Sequence, residues 1–240
     1  MSKKRKRSGG NPAHRAHREG TLLGKAILQW SERILSAGDD DQATLAAALI
    51  GWVGSGDPGR LGLNQCVSAC YQLQMVLEAV GVESRMVPVS LTVLDKVSQR
   101  ELAVVGSDTP SWSDGVSRWS GHAVLYLPRQ GRVLDPTIGQ AFPTATLDER
   151  MPLIGRVSAV LHGTSEQATQ TGTVWAVARH THIASYRVLD PAYDPMMNPD
   201  VVNGLRSATS RLRKLLPQMV QLIDDMIQSR KNLTADTSKH

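Results

Sequence analysis

The strongest constraint on this chain is a pair of short runs, His122–Leu127 and Arg132–Asp135, joined by Pro128-Arg129-Gln130-Gly131. A four-residue link of that composition reads as a tight turn, so the two runs are expected to be antiparallel neighbours in one sheet. With Leu127 opposite Arg132, Val124 faces Asp135 and His122 faces Thr137. Side chains alternate along a strand, so His122 and Asp135 then share one face as diagonal neighbours. A two-residue shift of register keeps them on that face, and a one-residue slip separates them. Without a third reactive group nearby, the pair would read as a structural histidine and a turn-forming Asp-Pro.

Cys66 supplies that third group. The loop Gly54-Ser55-Gly56-Asp57-Pro58-Gly59-Arg60 is too rich in Gly and Pro for a regular element. After it, Cys66, Ala69, Cys70, Leu73, Val76, Leu77 and Val80 recur at three- and four-residue spacing, predicting a helix of about four turns. Asn64 is the expected N-cap and Gly81 the stop. Cys66 falls in the first turn, where unpaired backbone N–H groups and the helix dipole stabilise a thiolate. Cys70, one turn deeper, is expected to be a buried small hydrophobe. A thiol, an imidazole and a carboxylate are the parts of a cysteine-nucleophile triad. The imidazole takes the thiol proton, and the carboxylate holds the imidazole in the working tautomer.

The chain contains a second candidate pair. Val188-Leu189-Asp190-Pro191 repeats Val133-Leu134-Asp135-Pro136, and His180 and His182 lie shortly before it. His180 and His182, two apart on a strand, share a face and suit a metal, but no third ligand stands at a recognisable spacing. Neither a metal nor a cofactor is therefore expected.

These residues resemble the transglutaminase-like superfamily. In that pattern a helix opens on the nucleophilic Cys and leads into a Gly-aliphatic-x-small-Arg segment, which Gly81-Val82-Glu83-Ser84-Arg85 matches at helix-length spacing from Cys66. His122-Ala123 and Asp135-Pro136-Thr137 match the family's remaining segments. The resemblance covers about residues 60–140 and implies roles for Cys66, His122 and Asp135. Val124 stands where family members often carry an aromatic residue. The superfamily includes transglutaminases, peptidases, deglycosylating amidases, acyltransferases and members without catalysis, so the resemblance bears on fold and triad more than on substrate.

The expected fold class is α+β: a Cys-bearing helix on an antiparallel sheet, with helices at both ends. Residues 20–200 form the expected catalytic domain, between a disordered basic tail at 1–19 and a C-terminal amphipathic helix at 201–231, and residues 232–240 form a second disordered tail. The helix stripe from Leu205 to Met226 suits docking on its own domain or a homo-oligomer interface, and Pro217 should kink it. At the other end, Leu22, Leu23, Ala26, Ile27, Trp30, Ile34 and Leu35 form a stripe over residues 21–37, and residues 44–53 suggest a second short helix.

The net charge of +5 comes from the start of the chain, where Lys3-Lys4-Arg5-Lys6-Arg7, with Arg15 and Arg18 following, supplies more than the whole excess. Such a run reads as a solvated tail. No aromatics interleave it, so any nucleic-acid contact is electrostatic and salt-sensitive. Two cysteines four residues apart are no disulfide framework, and no signal peptide or membrane-spanning run is present, so a cytoplasmic location without membrane contact is expected.

In the polar loop ahead of His122, Trp112 and Trp119 suit either a substrate pocket or an anchor pinning the loop to the domain. The backbone N–H of Cys66, with the Gln65 side chain as second donor, is the expected oxyanion site. The expected chemistry is attack on an amide or ester carbonyl through a thioester. The substrate is a protein, a peptide or a small amide, and hydrolysis is slightly preferred over transfer because water needs no second binding site. The competing reading is a catalytically inactive scaffold that binds protein or nucleic acid through the tail and the terminal helix.

Overall fold

The computed structural model describes residues 12–37, 39–54, 65–113, 118–142, 151–157, 165–179 and 181–237. Three helices come first: α1 (Pro12–Ala37), α2 (Asp40–Gly54) and α3 (Cys66–Ala79). Strands β1 (Arg85–Asp95), β2 (Glu101–Val105), β3 (Trp112–Ser113), β4 (Arg118–Trp119), β5 (His122–Leu127), β6 (Arg132–Asp135) and β7 (Leu153–Arg156) follow. A short helix α4 (Ser165–Ala168), strands β8 (Val174–Arg179) and β9 (His182–Val188), and helices α5 (Pro199–Ala208) and α6 (Ser210–Thr237) complete the chain. The architecture is α+β.

Seven strands form one antiparallel sheet in the order β7-β6-β5-β1-β9-β8, with β2 pairing the far half of β1. β3 and β4 make a separate two-stranded ribbon. The long strand β1 is the spine: β5 pairs its first half, β2 its second half, and β9 runs along its other edge.

Alternation along the strands splits the apolar residues into two cores. Val87, Val89, Leu91 and Val93 of β1, Val124 and Tyr126 of β5, Val133 of β6, Trp175 and Val177 of β8, and Ala184, Tyr186 and Val188 of β9 pack together. The opposite faces of β5 and β6, with Ala123, Leu125, Leu127 and Leu134, pack under α3 together with residues of α1, α2 and α6. The first core draws on nearly every strand because the sheet curls on itself until its end strands meet. A Cβ on Gly155 in β7 would lie 2.1 Å from Cγ1 of Val177 in β8. Only a glycine lets these strands approach so closely.

The helical layer is tied together by polar bonds as well as by apolar packing. The fully buried Trp52 of α2 donates through Nε1 to Oε1 of Gln72 in α3, 3.0 Å away. Arg213 of α6 donates to the Tyr71 hydroxyl of α3 at 2.8 Å. Arg132 of β6, 4% exposed on its side chain, reaches Asp39 just before α2 at 3.2 Å and so joins the helices to the sheet.

Several boundaries differ from the pattern-based expectation. Helix α1 begins at Pro12, inside the stretch assigned to the basic tail, and α6 continues to Thr237, inside the stretch assigned to the second tail. The single C-terminal helix is two, broken at Thr209. The Thr209 hydroxyl, 2.8 Å from the Leu205 carbonyl, competes with helix continuation there. Pro217 is exposed and stays within α6, on the helix side away from the core residues Leu212, Met219 and Ile223. Helix α5 has a strong start: the Asn198 side chain accepts from Asp200 N, and Pro199 occupies the first turn. Among the described residues, no helix is long and apolar enough to cross a membrane.

Closure of the sheet can be tested at Gly155. Gly155→Ala is expected to lower stability by about 2 kcal/mol through overpacking against Val177. Adding Val177→Ala should cost less in the Gly155→Ala background than in the wild type. Chemical denaturation of the four proteins measures this, and a neutral Gly155→Ala would mean that β7 and β8 do not meet.

Candidate active site

The turn after Leu127 sets the register Leu127↔Arg132, Tyr126↔Val133 and Leu125↔Leu134 between β5 and β6. Continued along the hairpin, that register makes His122 and Asp135 diagonal neighbours. Both are fully buried, and Nε2 of His122 lies 2.9 Å from Oδ2 of Asp135. Burying either charge alone would be costly, so each supplies the partner the other needs.

The carboxylate is fully matched. Oδ1 accepts from the Thr137 backbone N–H at 2.9 Å and from the Thr137 hydroxyl at 3.3 Å. Oδ2 accepts from His122 and, at 3.1 Å, from the hydroxyl of Tyr186 in β9. Thr137 belongs to the turn chemistry of an Asp accepting from the residue two positions on, which is legible in Asp135-Pro136-Thr137. Tyr186 is 51 residues from Asp135, and no local pattern in the sequence points to it.

Helix α3 places Cys66 as its first residue, with Gln65 at the cap. Asn64, the cap expected from the sequence, lies outside the described residues. The Gln65 side chain makes no capping bond, and its carbonyl accepts from Ala69 N at 2.9 Å. Cys66 Sγ sits 4.0 Å from the Gly121 carbonyl, and Cys70 Sγ donates to the Ala123 carbonyl at 3.3 Å. One turn of α3 thus spans two residues of β5: four helical residues rise about 6 Å and two strand residues about 6.6 Å. The helix runs alongside the strand, and its first turn reaches the strand's first residue, His122.

Burial and neighbouring charges act on Cys70 and on the imidazole. Burial pushes the Cys70 thiol well above its ordinary value, with the neighbouring Cys66 and Asp135 adding to this. For His122, burial pushes the pKa down. The Asp135 carboxylate, by charge and hydrogen bond, and then the Cys66 side chain outweigh it, and the imidazole is pushed up to about 10. Nδ1 of His122 makes no hydrogen bond among the described residues.

Trp112 and Trp119 face each other across the β3–β4 ribbon, with ring centroids 6.1 Å apart and planes 27° apart. Trp119 is 8% exposed and belongs to the same core as Cys66, with Trp112 packed against it. The ribbon fits tightly onto the site. A Cβ on Gly121 would lie 2.4 Å from the Trp119 ring, and one on Gly106 would lie 2.7 Å from the His122 backbone nitrogen. Gly106 also has φ +82, a conformation that other side chains rarely adopt.

The second His–Asp candidate is not assembled in this way. His182 opens β9 and Asp190 lies beyond its other end. His182 Nδ1 is 3.2 Å from the Thr181 hydroxyl, and its ring stands 5.1 Å from that of Phe142. Asp190 accepts from Ala192 N at 2.8 Å and so caps a single 3₁₀ turn. His180 lies outside the described residues. Among the described residues, no three His, Cys, Asp or Glu side chains converge to hold a metal ion.

The raised His122 pKa makes stability depend on pH in a defined direction. Its ordinary value is 6.5 and its folded value about 10. The stabilisation from the protonated pair is therefore complete below pH 6.5 and is lost as pH rises toward 10. Urea denaturation between these limits should show this loss in the wild type, and the loss should shrink sharply in Asp135→Asn. Equal pH slopes in the two proteins would contradict the buried pair. Compared with protein-family models, with curated proteins and with solved structures, the chain matches none.

Proposed function

We propose that this chain is a cysteine-nucleophile enzyme of the transglutaminase-like type, acting on an amide or ester carbonyl through a thioester. One observation carries the reading. A buried imidazole is bound to a carboxylate at 2.9 Å through Nε2, and the side chain of Cys66, which opens a helix, acts on the same imidazole.

In this mechanism the Cys66 proton already rests on Nδ1 of His122, and Asp135 stabilises that imidazolium through Nε2–H. The thiolate forms a C–S bond to the carbonyl carbon. The developing oxyanion sits at the start of α3, where the Cys66 backbone N–H has no helical acceptor. Gln65 is the nearest side chain in sequence able to add a second donor. Collapse breaks the bond to the leaving amine or alcohol, which receives the proton from His122. Water, deprotonated by His122, then attacks the thioester and Cys66 leaves as thiolate. Hydrolysis needs no second site, whereas transfer to an amine requires one, so a peptidase or amidase is the simpler form. Trp112 and Trp119 border the site as candidate walls of the acyl pocket.

The 4% exposure of Cys66 favours a second reading, in which the same fold is an inactive scaffold and the chain acts by binding a partner. Alkylation separates the two. Under the enzyme reading, iodoacetamide at pH 6 labels Cys66 well before Cys70, and His122→Ala abolishes that preference. Cys66→Ala abolishes turnover of a peptide or amide library read by mass spectrometry, whereas Cys70→Ala keeps it at a stability cost of about 1 kcal/mol. Asp135→Asn lowers turnover by about 10⁴-fold, by analogy with a serine triad held in the wrong tautomer. His182→Ala and Asp190→Asn leave turnover unchanged. Equal, slow labelling of both thiols would favour the scaffold.

A further inference from the structure

We infer that Tyr186 is a positioning residue of this site: its hydroxyl holds Oδ2 of Asp135 toward His122 Nε2 and takes up part of that oxygen's charge. The meaning of this role for catalysis rests on the acyl-transfer reading above. Its effect on the imidazole does not.

The geometry is specific to one oxygen. Tyr186 O–H and His122 Nε2 both reach Oδ2, at 3.1 and 2.9 Å, while both Thr137 donors reach Oδ1. A carboxylate held only through Oδ1 could swing about its Cβ–Cγ bond, and a second donor on Oδ2 removes that freedom. Tyr186 is itself immobile: it is fully buried in the inner core, on β9 between Leu91 of β1 and Trp175 of β8. The hydroxyl therefore stands at a fixed point set by the sheet, and the carboxylate must come to it.

Sharing one acceptor has a consequence for His122. A donor on Oδ2 draws off charge that would otherwise stabilise the imidazolium. A less stabilised imidazolium gives up its proton more readily, which matters when it protonates the leaving group. The other titratable groups facing this cluster are Cys66 and Cys70 on α3 and Arg179 on β8. All remain in place when only the Tyr186 hydroxyl is changed.

Two substitutions change the hydroxyl in opposite directions while keeping the ring. Tyr186→Phe removes the donor. Site-specific replacement of Tyr186 by 3-fluorotyrosine makes it a stronger one. The readout is the His122 imidazole, followed by nitrogen NMR of ¹⁵N-histidine-labelled full-length protein across the pH range in which it stays folded. Tyr186→Phe should move the His122 titration upward by up to about one pH unit, the order of one hydrogen bond to a charged group. The fluorinated residue should move it downward. In a turnover assay, Tyr186→Phe should lower kcat with KM unchanged.

A Tyr186 that merely fills the core would leave the His122 titration unmoved in both proteins, and that result overturns the inference. Shifts of the same sign in both proteins overturn it as well. If Tyr186→Phe fails to fold, the fluorinated protein decides alone: a downward shift supports the role and no shift ends it. If Cys66 proves inert to iodoacetamide in the wild type, the enzyme reading falls, and the His122 titrations still decide the role of Tyr186.

Discussion

The buried pair of His122 and Asp135 is the interaction to which the rest of this structure must conform. Neither side chain has any access to solvent, and an unpaired charge in that position would cost several kcal/mol. The pair is tolerable because four donors converge on one carboxylate: the imidazole, a phenol and both donors of Thr137. Those donors come from β5, the turn after β6, and β9. A slip of any of these strands by one residue would leave a charge or a hydroxyl unmatched, so the polar cluster and the strand registers enforce each other.

The same cluster explains how tightly the surroundings fit. β1 holds β5 on one edge and β9 on the other, and this brings the Tyr186 hydroxyl to an oxygen that β6 supplies. Helix α3 lies along β5 with matching repeat lengths, so its two cysteines meet successive outward carbonyls of Gly121 and Ala123. The glycine at 106 lets the end of β2 press against the His122 backbone, and the glycine at 121 makes room for the Trp119 ring. The two thiols differ because of this placement. Cys70 is sealed inside the helix–sheet interface, while Cys66 opens the helix beside the imidazole.

Much of the site was legible before any coordinates, for local reasons. A four-residue turn between two short apolar runs specifies a hairpin register, and a two-residue period specifies which side chains share a face. His122 and Asp135 follow from those two facts. The start of α3 was legible from a Gly- and Pro-rich loop giving way to a three- and four-residue apolar period. Where the reading went astray, local signals competed. The C-terminal stripe reads as one helix; Pro217 stays within α6 on an exposed side, and the helix ends and restarts at Thr209, whose hydroxyl binds a backbone carbonyl.

By itself, then, the sequence determined the hairpin, the helix that carries Cys66 near its start and the shared face of His122 and Asp135, because each depends on residues within about one turn or one hairpin of each other. Only the tertiary structure decided that the sheet closes on itself at Gly155 and Val177, that Tyr186 completes the carboxylate's donors, and that His182 and Asp190 stay apart at opposite ends of β9. These outcomes depend on which strands pair across long stretches of chain. That choice is made by the burial of two whole apolar faces at once, a collective quantity that no short window of residues contains.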